Sequence, residues 1–249
     1  MIVSVNQPTF LPWIGLFALI DEVDVFVFYD DVQLVKQSWD VRNRIKTHQG
    51  PLWVSFPIRH NKNFKELKFN VTEVNNDLNW RKKHFKTFQN TYRKSKNYSE
   101  VIDWLDTVYF NEYLYVSDMN MFFIKQICSK IGIKTKFINS SSLKSNEGKK
   151  DIRLVSICKE LNAEKYLSPL GSSDYIELSS PGGEFTRNNI TLNYQNYTHP
   201  VYHQIYGDFV SHMSILDLLF NVGFQDALSI IRSGVAEPLN SSQVRAITK

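Results

Sequence analysis

The chain opens with a short apolar run, Ile2–Val5, that stops at Asn6-Gln7-Pro8. Ile14–Asp21 then places Ile14, Leu16, Phe17 and Ile20 at helical spacing, and Val25–Tyr29 is an unbroken apolar run. Such a run marks a strand covered on both faces. Strand, loop, helix and strand in about 30 residues favour parallel pairing. Asp30 to Arg42 is polar and aperiodic. Arg44–Thr47 and Leu52–Ile58 flank Gln49-Gly50-Pro51 and predict a hairpin, and Lys65–Val74 predicts one more strand.

From Leu78 to about Lys94 the pattern turns helical, with Asp77 as N-cap. Val101–Phe110 and about Tyr113–Ile131 continue as helices, and Gly132 stops the last. Lys134–Asn139 returns to a strand, Ser140–Lys150 to a polar loop, and Asp151–Leu161 to an amphipathic helix. Lys165–Ser168 is a strand that opens onto Pro169-Leu170-Gly171-Ser172-Ser173. Ile190–Tyr194 is another strand, and Ile215–Phe220 and Ala227–Ile231 are short helices. Strands and helices that alternate at both ends predict a Rossmann-like α/β fold with a mostly parallel sheet. A β-hairpin and helices form an insertion at about residues 43–132 in one domain of residues 1–249. Residues 235–249 read as a mobile tail.

Composition narrows the field. With 29 Lys+Arg against 25 Asp+Glu, the formal charge of +4 fits an anionic small molecule and does not demand nucleic acid. Aromatics at 14% either fill a core or line a site that stacks rings and sugars. Two separated cysteines, Cys128 and Cys158, give neither a disulfide framework nor a zinc site. The N-terminus lacks a basic leader segment and no run approaches a membrane span, so a cytoplasmic protein is expected.

Candidate chemistry gathers at strand ends, where open α/β sheets bind ligands. Gln7 and Trp13 sit in the first loop, with an amide to donate and accept and a ring to stack. Asp30 and Asp31 end the second strand with Gln33 close behind. They could hold a metal or a hydroxyl, or simply cap the strand in solvent. Lys36, Trp39, Arg42, Asn43, Arg44 and Lys46 follow. Alternation puts Arg42, Arg44 and Lys46 on one face. Arginine forks suit phosphate oxygens, though a basic exposed edge also deters aggregation. Ser168, Asp174 and Tyr175 bracket the Pro/Gly/Ser turn, as ligand contacts or as part of a plain connection.

His199 and His203 have metal-ligand spacing, but Pro200 breaks any helix across them, so no metal is expected. His203 serves as a base or as a structural histidine. The helix at 80–96 carries Arg81, Lys82, Lys83, Lys86, Arg93, Lys94 and Lys96 with no intervening acid. It reads as a solvated basic face or as a footprint for RNA. The phosphate-loop, nucleophile-elbow and dinucleotide fingerprints are absent.

Four stretches together resemble the WbqC-like protein family of bacteria: QPTFLPWIGLF at 7–17, DVFVFYDDVQLVKQSWDVRNRIKT at 24–47, LVSICKELNAEKYLSPLGSSDYI at 154–176 and HPVYHQIYGDFVSHMSILDLLFNVG at 199–223. The family has a Gly-rich turn after its Tyr-Leu-Ser strand, which is looser here. The first loop has a distant similarity to the HxGH loop of nucleotidylyltransferases but contains no histidine. Adenylyl transfer by that route is therefore not expected.

The resemblance implies a setting in O-antigen and other surface-polysaccharide (lipopolysaccharide) assembly. The reading that follows is a transferase moving an acyl or aminoacyl group onto the amine of a nucleotide-linked deoxyamino sugar. No cofactor is tightly bound in this reading, and the donor is unspecified. Arg42, Arg44 and Lys46 would hold phosphates, Trp13 or Trp39 would stack, and His203, Asp30 or Asp31 would take the proton. The alternatives are ATP-dependent amide ligation, with Mg²⁺ near the aspartates, and a non-catalytic carbohydrate- or RNA-binding protein. An aminoacyl-tRNA donor would use the 80–96 helix.

Overall fold

The computed structural model describes residues 1–35, 38–59, 67–144, 148–178 and 180–247. β1 (Ile2–Asn6), α1 (Ile14–Asp21) and β2 (Val25–Phe28) form the opening unit, with β1 and β2 parallel and Val3 opposite Val25. Successive strand residues point to opposite faces, so the sequence Val-Phe-Val-Phe sorts β2 between two cores. Val25 and Val27 join a cluster with Val3, Val5, Ile157 and Cys158, whereas Phe26 and Phe28 join one with Phe17, Ile20 and Ile124.

The insertion begins with β3 (Arg42–Thr47) and β4 (Gly50–Ser55), an antiparallel hairpin in which Thr47 faces Gly50 and Arg44 faces Trp53. Gly50 has φ +102°, which glycine adopts freely. β5 (Ile58–Arg59) and β6 (Glu73–Val74) make a second small sheet, followed by α2 (Trp80–Tyr92), α3 (Tyr98–Tyr109) and α4 (Val116–Ile131). Gly132 ends α4 in the left-handed region, where its N–H reaches the Cys128 carbonyl. Ile45, Val54, Phe56, Phe88 and Leu105 share a cluster with Phe17 and Phe26, so the insertion packs on the same core as the large sheet.

β7 (Lys136–Asn139) pairs with β2, and the chain then crosses through α5 (Asp151–Glu160) to β8 (Lys165–Ser168) on the far side of β1. α6 (Ser173–Ile176) and α7 (Gly183–Arg187) lead to β9 (Thr191–Tyr197). α8 (Ile215–Val222), α9 (Phe224–Ser233), β10 (Val235–Leu239) and α10 (Ser241–Ile247) complete the described chain. The sheet order is β10-β9-β8-β1-β2-β7, parallel except for β10. Counted in chain order, this is the doubly wound Rossmann arrangement, and its direction reverses between β1 and β8.

Several boundaries differ from the sequence reading. The segment at 235–239, expected to be mobile, is an antiparallel edge strand on β9, with Pro238 at a register shift where an edge tolerates it. α10 then buries Val244. α2 starts at Trp80, after Asn79, and Asp77 does not cap it but pairs with Arg59 at 2.6 Å. Of the strand expected at Lys65–Val74, Glu73–Val74 is extended and paired. Its first two residues lie outside the described ones. No helix among the described residues is long and apolar enough to cross a membrane.

Candidate functional site at the switch point

The loop from Gln7 to Trp13 leaves the carboxyl end of β1 beside the switch point. Its prolines stiffen it, and Leu11 sits at φ +42°. Two buried asparagines hold that shape. Asn43 Nδ2 donates to the Phe10 and Leu11 carbonyls at 3.1 and 2.9 Å, and Asn120 Nδ2 donates to the Pro8 and Asp40 carbonyls at 2.8 Å each. The Phe10 N–H donates to the Trp39 carbonyl at 2.9 Å. The hairpin and the first loop are therefore one rigid piece, and Asn43 acts chiefly by fixing it.

A cavity of about 320 Å³ opens there. α1 contributes Gly15, Leu16 and Leu19, β9 contributes Gln195, and Trp13, Pro169 and His212 close the sides. Trp13 stacks on His212 with centroids 4.8 Å apart and on His199 at 6.0 Å, and Tyr197 meets it edge-on at 5.6 Å. A Cβ on Gly15 would lie 2.2–2.6 Å from three atoms of the Trp13 ring. Glycine is what lets the ring rest on α1. Trp13 thus forms wall by filling the space between Gly15 and His212, and its faces are taken by the protein itself.

At the cavity rim the hairpin presents cations on tryptophans. Arg42 lies over Trp53 at 4.2 Å, and Arg44 lies 5.5 Å from Trp39 and 5.6 Å from Trp53. The two indoles are in contact, 5.1 Å apart, and each is nearly half exposed. Arg44 Nη2 also donates to the His212 carbonyl at 3.4 Å. The Nε atoms of Arg42 and Arg44 have no hydrogen-bond partner.

The WbqC-like family model matches residues 7–228, starting within this loop. The chain belongs to the WbqC-like protein family. One relative, the uncharacterized protein Rv1507c of Mycobacterium tuberculosis, is 34% identical over 222 residues, which cover 89% of this chain and 94% of that protein. No solved structure gives a significant match.

In this WbqC-like protein the sequence candidates fall in different places. Trp13, Trp39, Asn43, Arg42 and Arg44 come together at the cavity and its rim. Gln7 is half-buried next to Asn6, which lines the cavity, and Ser168 is buried at the end of β8, its Oγ donating to the Pro169 carbonyl at 3.2 Å. Lys46 shares the β3 face with Arg42 and Arg44, as alternation required, but it is buried. Its Nζ donates to the Asp208 carbonyl, which leaves it unexposed to a phosphate. Lys36 lies outside the described residues.

Asp30 and Asp31 form a separate cluster at the ends of β2 and β7. Asp30 accepts from the Ser140 hydroxyl at 3.0 Å, the Ser141 N–H at 2.9 Å and the Ser141 hydroxyl at 2.6 Å. Asp31 accepts from Ser140 Oγ at 2.5 Å and pairs with Arg153, which lies over the Tyr29 ring at 4.8 Å. Burial raises the Asp31 carboxyl, but the bonds from Ser140 and Arg153 outweigh it, and its net pKa is lowered. These aspartates are engaged as acceptors within the protein. Gln33 is exposed and bridges to Lys68, Asp174 is exposed on α6, and Tyr175 packs in the cluster with Phe185. His203 is exposed and does not line the cavity. No group of His, Cys, Asp and Glu among the described residues could hold a metal ion. Lys82, Lys83, Lys86, Arg93, Lys94 and Lys96 are exposed, and Arg81 is buried.

The sequence reading missed His212, Gln195, Glu22 and Trp53. His212 sits at φ +59°, and burial together with the Arg44 charge lowers its pKa. Burial also lowers His199. Both shifts favour the neutral ring. Burial raises Glu22, at the end of α1, to about 7 against an opposing hydrogen bond with Gln195. Trp53 had a usable signal. Counting back from the Gly50 turn pairs residue 47 with 50, and hence Arg44 with Trp53.

Proposed function

We propose that this WbqC-like protein binds a nucleotide-linked deoxyamino sugar and transfers an acyl or aminoacyl group to the sugar amine. The observation that carries the reading is the pairing of an apolar-walled cavity at the switch point with a Trp/Arg rim. Pro12, Trp13, Leu16, Leu19 and Pro169 favour the apolar face and methyl group of a deoxy sugar. Asn6, Thr9 and Gln195 supply a few polar contacts for orientation. Arg42 and Arg44, backed by indoles, suit a diphosphate, and the partly exposed Trp39 and Trp53 suit a base. The family resemblance supplies the surface-polysaccharide setting.

In this reaction the sugar nitrogen attacks the donor carbonyl carbon, and a C–N bond forms. The nitrogen gives up a proton to His212, a neutral ring at the cavity wall with Nδ1 held by Ser211 Oγ at 2.8 Å. The bond from the carbonyl carbon to the donor group then breaks, and His212 returns its proton to the leaving atom. His212 replaces His203 in this role because it lines the cavity and His203 does not.

The test is a thermal-shift screen of nucleoside diphosphates and their amino-deoxyhexose conjugates, followed by turnover with ATP, acyl-CoA and aminoacyl-tRNA as donor systems. A ligand that binds the native state at about a hundred times its Kd adds about 2.7 kcal/mol of stability. We expect the conjugates to raise Tm more than the bare diphosphates. No shift with any conjugate would refute the reading.

A further inference from the structure

The cavity runs along α1, and the residues that line it there do not end the face they share. Gly15, Leu19 and Glu22 recur at i, i+4 and i+7, which stacks them on one side of the helix. Gly15 and Leu19 line the cavity, and Glu22 lies about one turn beyond Leu19, at the C-cap of α1. Across from them β9 presents Gln195 and Tyr197, two residues apart and so on the same face of the strand. Gln195 is buried, lines the cavity, and donates from Nε2 to the Gly15 carbonyl at 3.0 Å. Its amide is also the hydrogen-bond neighbour of Glu22. Glu22 Oε2 and Tyr197 Oη are buried with no hydrogen-bond partner. Buried polar atoms without partners are costly, so such a pair behind the cavity-lining Gln195 points to a polar group bound on that side.

We propose that the part of the cavity lined by Gln195 is a subsite for a hydrogen-bond donor of the sugar ring, a hydroxyl or an amine, read by Gln195 Oε1 and set by Glu22. The inference rests on the nucleotide-sugar reading above. The Gln195 NH₂ group has two hydrogens. One goes to the Gly15 carbonyl, and an ionised Glu22 takes the other, so Oε1 is left as the acceptor offered to the ligand. A protonated Glu22 is itself a donor and competes for that same Oε1. Gln195 is the specificity residue, and Glu22 is a positioning residue that acts through it.

Neighbouring charges leave Glu22 as the group that titrates there near neutrality. Asp21, on the same helix, is held by Arg232 of α9 through bonds of 2.7 and 3.0 Å. Asp24 accepts from the Ile2 N–H at 2.7 Å. Tyr197 on β9 is raised far above neutrality by burial and by Glu22. His199 and His212 are lowered, so they titrate on the acid side. A donor-bearing ligand favours the ionised form of Glu22. Binding therefore releases a proton near neutral pH and tightens as pH rises through the Glu22 midpoint. By reciprocity the bound ligand lowers that midpoint.

Two measurements on the full-length protein test this. Carboxyl carbon NMR of the free protein should show a resonance titrating near neutrality that is absent in Glu22→Gln. Calorimetry with a thymidine diphosphate-linked amino-dideoxyhexose, in two buffers of different ionisation heat, should show proton release that Glu22→Gln abolishes. Gln195→Leu should weaken binding about tenfold, the loss of one hydrogen bond to a buried partner. No carboxyl titrating near neutrality, or equal proton release in Glu22→Gln, would overturn the proposal. If the conjugate fails to bind at all, the nucleotide-sugar reading falls, and the methyl glycoside of the same amino sugar becomes the probe. A lowered Glu22 midpoint with that glycoside sustains the subsite, and an unmoved midpoint ends it.

Discussion

Trp13 and His212 stack with ring centroids 4.8 Å apart and 26° between planes, and the indole rests on Gly15. This contact joins the end of β1 to the loop before α8, and it is reinforced by the Trp13–Ser214 bridge. Gly15→Ala would place a methyl group 2.2 Å from the ring. The gain in helix propensity is about 1 kcal/mol, but overpacking a core costs about 1–3 kcal/mol. We expect a net loss of stability in urea unfolding and an altered near-ultraviolet dichroism from the displaced indole. A Gly15→Ala protein with unchanged dichroism and stability would show that the ring is not held there.

The position of His212 implies a specific pH profile. Burial and then Arg44 lower its pKa, so the neutral base persists below the usual histidine range. Turnover should fall only as pH drops through that lowered value. Arg44→Ala removes the second cause and should move the acid limb upward. His212→Ala should lose about 10²–10⁴-fold in turnover, the usual contribution of a general base. His203→Ala should keep its rate. Equal losses in the two histidine variants would dissociate catalysis from the cavity wall.

The rim should govern affinity and salt dependence together. Arg42 is packed on Trp53. Arg42→Ala should weaken nucleotide binding about tenfold, or about 1.4 kcal/mol, and flatten its dependence on salt. Trp53→Ala should weaken binding without that flattening, because the indole carries no charge. Titrations of the nucleotide at low and high ionic strength separate the two outcomes, and salt curves parallel to wild type in Arg42→Ala would remove the phosphate from the rim.

The sequence showed most clearly what depends on local pattern. The Val-Phe-Val-Phe run, the spacing in α1 and the strand Lys165–Ser168 each follow from neighbours in the chain, and each stands in the structure. Alternation also put Lys46 on the face of Arg42 and Arg44. It could not reveal that residues around Asp208, 162 positions later, cover that end of the strand. His212 escaped notice for the same reason. Its role comes from a left-handed backbone conformation and from a ring partner 199 residues away in the chain, as 212 − 13 gives. Asp30 and Asp31 looked available because Ser140 and Ser141, which follow β7, and Arg153 of α5 reach them only once β7 pairs with β2.

Asp217 in α8 ties the insertion to the C-terminal part of the fold, and its removal should be costly. Its carboxylate is buried and accepts from Tyr92 Oη at 2.9 Å, Tyr202 Oη at 2.9 Å and Gln204 Nε2 at 2.7 Å. Burial raises its pKa against these three bonds and the nearby Lys46 charge. A carboxyl raised on folding holds more protons in the native state than in the unfolded chain. Its contribution is therefore greatest below the ordinary carboxylate range and is lost as pH rises through the raised value. Glu22 acts with the same sign, so the difference between wild type and variant isolates Asp217. Asp217→Ala strands three buried donors and should cost about 3 kcal/mol or more. Asp217→Asn keeps one acceptor oxygen and should cost about 1–2 kcal/mol. The asparagine variant should also lose part of the decline in stability that Asp217 gives over the range from the ordinary carboxylate pKa up through its raised value. Urea unfolding of the three proteins across that range provides the measurement. Asparagine and alanine variants of equal stability, or an undiminished decline in Asp217→Asn, would remove Asp217 as the proton-linked tie between the two parts.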